Sequence, residues 1–352
     1  MTFKFSFSQL VPALAALVLL TAWAVPAQAQ KSVKVVADEA NRRVDITVDG
    51  KPFTSYVWPT TLRKPVLYPI VDSDGVTVTR GYPLEPRAGE RVDHPHHAGL
   101  WFNHSNVNGF DFWNNSEAIK PENRNKMGSI VFNKIVSTKS GASRGELVTD
   151  STWITGVGDS ILDETTRIVF SRGNGTRIID RIATLKALDH VVFHDDKDGV
   201  LGLRVASWLE SPTAGGGVFT DSHGVETKVA TASAGATGVY LTSEGVSGDA
   251  AWGTRGRWCA LTGHTGDHTD TIAIFDNPAN PGYPTYWHAR GYGLFAVNPL
   301  SPKAFDSKQP AMNLTLEKGQ SATFRYRIVI YDHTVTPEEL NKEAAAFAAE
   351  YK

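Results

Sequence analysis

The chain has 352 residues, 37 of them acidic and 35 basic, for a net charge of −2 with the two signs interspersed. That balance offers no basic block and excludes a nucleic-acid partner held by charge. The one cysteine, Cys259, excludes an intrachain disulfide; in the apolar run from Arg257 to Leu261 it reads as a buried, inert thiol.

The chain opens with Lys4, an apolar run from Leu10 to Val25 and then Pro26-Ala27-Gln28-Ala29. A basic start, an apolar core and small residues three apart predict a signal peptide over 1–29, cleaved after Ala29. The destination expected is the periplasm or the exterior. No later stretch reaches the roughly 20 apolar residues of a membrane-spanning helix, so no membrane span is expected after cleavage. Residues 30–352 suit one large β-sandwich domain, a size that buries enough apolar surface without disulfide staples.

The segments that follow alternate or read as short β-rich runs bounded by Gly, Asp, Asn or Pro. Strands are predicted at 33–36 and 43–48, with a turn at Asp49-Gly50, and then at 129–138, 145–155, 162–170, 176–188, 199–209 and 322–331. Lengths and short connections favour antiparallel neighbours. Residues 213–217 read as a flexible glycine loop, and 221–248 as a decorated loop or weak hairpin. One helix is expected near the C-terminus, capped by Thr336, with Pro337 at its first position and Glu338 and Glu339 at the positive end of its dipole. Its apolar stripe of Ala344, Phe347, Ala348 and Tyr351 would dock on a sheet.

Chemistry concentrates first in Asp93-His94-Pro95-His96-His97-Ala98-Gly99-Leu100-Trp101-Phe102-Asn103-His104, which holds four of the eleven histidines, and in Asn108 to Trp113 just after it. Clustered imidazoles suit proton transfer near neutral pH, hydrogen bonding to hydroxyls, or metal ligation. A divalent metal on the segment from His94 to His104 is one expectation, although no HExxH spacing is present and no other cofactor is implied. Trp101 and Trp113 among polar groups suggest platforms for the C–H face of a sugar, against the alternative that strand aromatics belong to the core. Arg80 is near enough in sequence to join this cluster.

A second cluster runs from Asp276 through Tyr283 to Phe295. His288 and Arg290, two apart, can share a strand face, and an Arg beside a His can bind a carboxylate or lower the imidazole's affinity for protons. A third stretch supplies Lys197 and Arg204 as candidate substrate contacts, with Asp195, Asp196 and Asp198 reading as a solvated turn. Phosphate loops, dinucleotide fingerprints, G-x-S-x-G elbows and C-x-x-C pairs are absent.

Read together, Lys64-Pro65-Val66-Leu67-Tyr68-Pro69, Arg80-Gly81-Tyr82-Pro83, His94 to Trp101, Asp111-Phe112-Trp113, Asp196-Lys197-Asp198-Gly199, Leu203-Arg204-Val205-Ala206, Phe275-Asp276-Asn277-Pro278, Trp287-His288-Ala289-Arg290 and Tyr292-Gly293-Leu294-Phe295 resemble the family labelled PmoA-like. The label borrows the name of a methane-oxidising membrane subunit, whose spans and copper site these residues do not provide. The resemblance implies architecture and positions but no reaction, and this chain has Gly291 where the family pattern carries an acidic or polar residue. A weaker similarity is to galactose-mutarotase-like proteins, through the order Arg80, His96, His97, Gly99, Trp113. It implies a large antiparallel β-sandwich, but the glutamate base of those proteins finds no counterpart here.

The fold expected is therefore mainly β, a large antiparallel sandwich of the galactose-mutarotase-like kind with a short C-terminal helix. The function expected is an exported carbohydrate-active enzyme acting on a glycoside or sugar acid by hydrolysis, elimination or epimerisation. His96, His97 and His288 are its candidate acid–base groups; Arg80, His94, Trp101, His104, Trp113, Lys197, Arg204, Asp276 and Arg290 are its candidate substrate contacts. Its partner would be a small carbohydrate. Two alternatives stand beside it: a non-catalytic periplasmic sugar-binding protein and a His-ligated metalloenzyme.

Overall fold

Buried and exposed positions alternate along Arg43–Val48 and Arg144–Thr155, the pattern of strands with one face on a core. A computed structural model describes residues 1–5 and 32–352, so the leader expected over 1–29 lies, beyond its first five residues, outside the described residues. Two eight-stranded antiparallel sheets dominate. The first has the strand order Val33–Asp38, Arg43–Val48, Lys51–Val57, Val66–Ile70, Leu100–His104, Gly199–Arg204, Leu294–Asn298, Tyr286–Arg290. The second runs Val239–Thr242, Trp258–Thr265, His268–Asp276, Ser321–Tyr331, Thr176–Ala187, Ser160–Gly173, Arg144–Thr155, Gly128–Lys139.

One hydrophobic cluster fills the space between the sheets, drawing Leu100, Phe102, Leu201, Leu203, Phe295 and Val297 from the first and Leu147, Ile168, Ile179, Ile274 and Ile328 from the second. This is the mainly β, antiparallel sandwich expected from the strand pattern. Cys259 lies within that core, and burial pushes its thiol far above the ordinary range. Among the described residues no helix is long and apolar enough to cross a membrane.

The helix Pro337–Glu350 begins at a capping box formed by Thr336 and Glu339. It covers the outer side of the second sheet, where Leu340 and Phe347 meet Phe275 and Val329. Arg327 fixes it from beneath, pairing with Asp180, Glu343 and Glu350 at 2.6–2.7 Å.

The strand expected over 199–209 ends at Arg204. The backbone then leaves the sheet: Val205 donates to Gly293, Ala206 donates to Val78, and Ser207–Leu209 forms a single 3-10 turn. The glycine loop at 213–217 is tied down, since buried Arg91 bonds Glu210 and the carbonyls of Gly215 and Gly216. Within 221–248 the strand Glu226–Val229 forms a small hairpin with the preceding Gly217–Thr220, and Val239–Thr242 is an edge strand.

Candidate active site

Strand register brings the distant sequence clusters onto one face. Trp101 lies opposite Gly202, Gly202 opposite Ala296, and Ala296 opposite His288. Side chains in one such row point the same way. The alternate row, with Leu100, Phe102, Leu203, Phe295 and Ala289, belongs to the main core, so the row from Trp101 to His288 faces outward. It spans three strand spacings, about 14 Å. Gly202 is glycine because Trp101 lies across it; a Cβ there would come within 2.3 Å of the indole.

Above this row the segment from His94 to Gly99 turns back on itself. His94 has φ of 46°, an uncommon strain for a non-glycine residue. Gly99 has φ of 57°, and a Cβ there would sit 2.2 Å from the Leu67 carbonyl oxygen. Arg80, buried beneath the turn, donates to the carbonyls of Arg91, Asp93, His94 and His97. Arg80 and Arg204 both donate to Oδ1 of Asp93, each at 2.7 Å. Burial works to raise the Asp93 carboxyl, but the hydrogen bond with His94 and the charges of Arg204 and Arg80 outweigh it and hold it well below the usual range.

Tyr292, from the second cluster, completes the assembly. Its ring stacks on His94 with centroids 5.2 Å apart, and the stack continues from His94 to His97 at 4.9 Å and from His97 to Trp101 at 5.1 Å. Arg204 lies 4.9 Å from the Tyr292 ring on one side and Arg290 5.8 Å on another.

This geometry divides the candidate residues. Arg80 and Arg204 are 1% and 0% exposed, so they brace the turn and do not reach a substrate. Trp101 and Trp113, 0% and 1% exposed, are floor and not platforms. The Trp113 indole N–H points at Nε2 of His97 at 3.2 Å, and Arg204 Nη1 faces its Nδ1 at 3.3 Å. A neutral imidazole can accept from one of these two donors, whereas an imidazolium could accept from neither. Burial first, then His96 and Arg204, accordingly hold His97 well below its ordinary affinity for protons. His97 is therefore a fixed neutral ring, not the acid–base group expected. His104 points to the core side, beside Phe193 and bonded to the His194 carbonyl oxygen at 2.7 Å. Asp276 is also elsewhere, in the second sheet: it accepts from Asn280 and from the backbone N–H of Thr285 and organises that loop. Burial raises its carboxyl to about 7.

The candidate groups not tied into this brace are His94, His96, Lys197, His288 and Arg290, together with Asp198, although His288 is itself buried. Burial, then the charge of Lys64, pushes His96 down to about 2, so it presents a neutral ring. Asp198 is not the solvated turn residue expected: its Oδ1 lies 3.7 Å from Nδ1 of His288 and its Oδ2 accepts from Lys197 at 2.7 Å. Burial lowers His288 to about 4 against the pull of Asp198. Arg290 lies 5.5 Å from the Trp252 ring and makes no ion pair among the described residues. With Thr213, Asp249, Trp252, Gly291 and Tyr292 it lines a cleft of about 340 Å³, within the size range of small-molecule sites. Gly291 keeps that cleft open, since a Cβ there would stand 3.0 Å from Oδ1 of Asp249.

Lys64 carried no role in the sequence reading. It is buried, donates to the His96 carbonyl oxygen at 2.8 Å and lies 5.4 Å from the Trp101 ring centroid. Burial pushes its amine down to about 7, against the charge of Asp111. The one sequence signal was a lysine set directly before the apolar run Pro65–Leu67.

The imidazoles of residues 94–104 do not converge as ligands, because His97 is occupied on both nitrogens and His104 faces the opposite side. Among the described residues, the one group of three His, Cys, Asp or Glu ligand atoms within 4.8 Å of one another is Asp72, His268 and Asp270.

Fold and site together define a two-sheet antiparallel β-sandwich with a polar cleft on the outer face of one sheet. Residues 43–345 match the model of a family of unknown function, DUF6807, and the chain belongs to that family. The comparison thus gives no support to the PmoA-like label. No curated protein matches the chain. Similar solved structures include a GH36 α-galactosidase, AgaB, from Geobacillus stearothermophilus, at 12% identity and TM-score 0.41, covering 85% of this chain and 41% of that one. A putative aldose 1-epimerase from Escherichia coli K12 is 9% identical with TM-score 0.36, covering 86% and 99%. A galactose mutarotase related enzyme from Lactobacillus acidophilus is 8% identical with TM-score 0.31, covering 86% and 98%. The chain spans less than half the length of the galactosidase.

Proposed function

We propose that this chain is an exported carbohydrate-active enzyme that abstracts or donates a proton on a sugar acid or glycoside. The observation that carries the reading is a neutral His288 backed by Asp198 two residues along the strand from Arg290, which lines a cleft with the aromatic faces of Tyr292 and Trp252. A neutral imidazole next to a carboxylate is the arrangement of a general base, because the carboxylate stabilises the imidazolium formed when the proton arrives. Arg290 and Lys197 would hold a substrate carboxylate and stabilise the negative charge that develops beside it, which suits elimination or epimerisation more than hydrolysis. His96, neutral and largely buried, would accept a hydrogen bond from a sugar hydroxyl, and His94 with Tyr292 would form the wall. Arg80, Arg204, Asp93 and His97 hold that wall in place. No step draws on a cofactor.

A second reading, a sugar-binding protein without catalysis, is favoured by the 4% exposure of the His288 side chain. The test is incubation of the mature protein with neutral, uronic and 3-keto glycosides, with products followed by mass spectrometry beside a His96→Ala, His288→Ala double variant. Product from the parent protein alone supports the enzyme. Intact substrate with measurable binding supports the second reading, and neither product nor binding overturns both.

A further inference from the structure

Away from this cleft, Asp72, His268 and Asp270 meet where the two sheets approach each other at one end of the sandwich. Asp72 follows the first-sheet strand Val66–Ile70, while His268 and Asp270 lie two apart on the second-sheet strand His268–Asp276. The Asp72 and Asp270 side chains are 1% and 0% exposed. Both Asp270 oxygens and Oδ2 of Asp72 lack a hydrogen-bond partner, as does Nε2 of His268. Unpartnered buried polar atoms are rare, and several aimed at one point call for a ligand. Among the described residues the only ionic partner of these two carboxylates is His268, with Nε2 at 2.8 Å from Asp72 Oδ2 and 3.2 Å from Asp270 Oδ1.

We propose that Asp72, His268 and Asp270 form a binding site for a small divalent transition-metal ion of the zinc type, which clamps the two sheets together. A tetrahedral ion with bonds of about 2.0–2.1 Å spaces its donors roughly 3.3 Å apart, close to the two separations here. Two carboxylates and one imidazole make a mixed oxygen and nitrogen set, which selects such ions over calcium or magnesium, since those favour oxygen alone. The site is held in advance. Oδ1 of Asp72 accepts three backbone N–H bonds, from Asp74, Gly75 and Val76 at 2.7–2.9 Å, leaving Oδ2 for the ion. Oδ2 of Asp74 lies 3.8 Å from Nδ1 of His268, on the side where the second nitrogen of a metal-bound imidazole ordinarily finds a carboxylate. His268 is 19% exposed, which gives an entry path and a fourth position for water. The ion would stabilise the fold and take no part in the proposed chemistry.

The test is calorimetric titration of Zn²⁺ into chelator-treated full chain, with thermal unfolding followed in parallel, on the parent protein, His268→Ala and Asp270→Asn. Calcium titration is the comparison. The expected result is one ion per chain, a raised melting temperature, and an affinity more than about 100-fold weaker in both variants, beyond what a second-shell loss produces. His268→Ala lies on a partly exposed side chain and serves where Asp270→Asn fails to fold. A His96→Ala, His288→Ala protein should bind the ion unchanged, which separates this site from the cleft. Zinc binding that survives both substitutions, or preference for calcium, overturns the proposal. So does absence of binding with a more stable Asp270→Asn variant, the sign of a proton shared between the two carboxylates.

Discussion

Asp93→Asn removes one negative charge and leaves its shape. In the parent protein Oδ1 of Asp93 lies 2.7 Å from both Arg80 Nη1 and Arg204 Nη2, and the two arginine side chains are 1% and 0% exposed. At the effective dielectric of a protein site, a unit charge pair about 4 Å apart is worth roughly 4 kcal/mol. Asp93 itself is 29% exposed, so water offsets part of the loss. Breaking a buried pair by removing one partner costs about 3–5 kcal/mol, and the lower half of that range is expected here. Urea unfolding at pH 7 measures it. Because the folded carboxyl titrates below its unfolded counterpart, the contribution is complete above about pH 4 and is lost as pH falls through the folded value. The penalty of the substitution should therefore shrink in acid. Arg204→Met combined with Asp93→Asn should cost less than the two changes separately, with coupling above about 1 kcal/mol. An Asp93→Asn protein within about 0.5 kcal/mol of the parent at pH 7 would refute the reasoning, because that is the range of neutral surface changes.

Three further outcomes follow from the same geometry. Lys64 titrates at about 7 when folded and at its ordinary 10.5 when unfolded, so between those values the unfolded chain binds the extra proton. Stability relative to Lys64→Met should then rise with pH across that window, by at most roughly 1.4 kcal/mol per unit, as urea unfolding at several pH values will show. Arg327→Met strands Asp180 beneath the C-terminal helix and should cost about 3 kcal/mol, with helix 337–350 losing amide protection in hydrogen exchange. Gly291→Ala narrows the cleft against Asp249 and should weaken saccharide binding in calorimetry, with the fold retained by circular dichroism.

Much of the architecture was legible because period-two burial is written directly in segments such as Arg144–Thr155, and because Thr336-Pro337-Glu338-Glu339 spells a helix start. The segment from His94 to Trp101 stood out in the sequence by its density of polar and aromatic groups. What the sequence hid was register. Trp101 and His104 lie in the same short strand on opposite faces, but which face meets the core is set by the sheet that the strand joins, where they pair with Gly202 and Gly199. Arg204 and Arg80 were marked as substrate contacts by their charge, but Asp93 closes on both and makes them buried braces. Lys64 was given no role and Asp198 was read as a solvated turn because their contacts come from partners distant in sequence, His96 and His288. The pair Asp270 and His268 carried a weak signal in its i, i+2 spacing, with no hint of Asp72 across the sandwich.

The central claim is that the His94–His97 turn and the His288–Tyr292 strand end form one ligand site. Side-chain NMR of the imidazoles during titration with a uronic saccharide tests it most directly. His96 and His288 ring resonances should shift together with a single dissociation constant. Shifts confined to one of the two rings, or different constants for each, would contradict it.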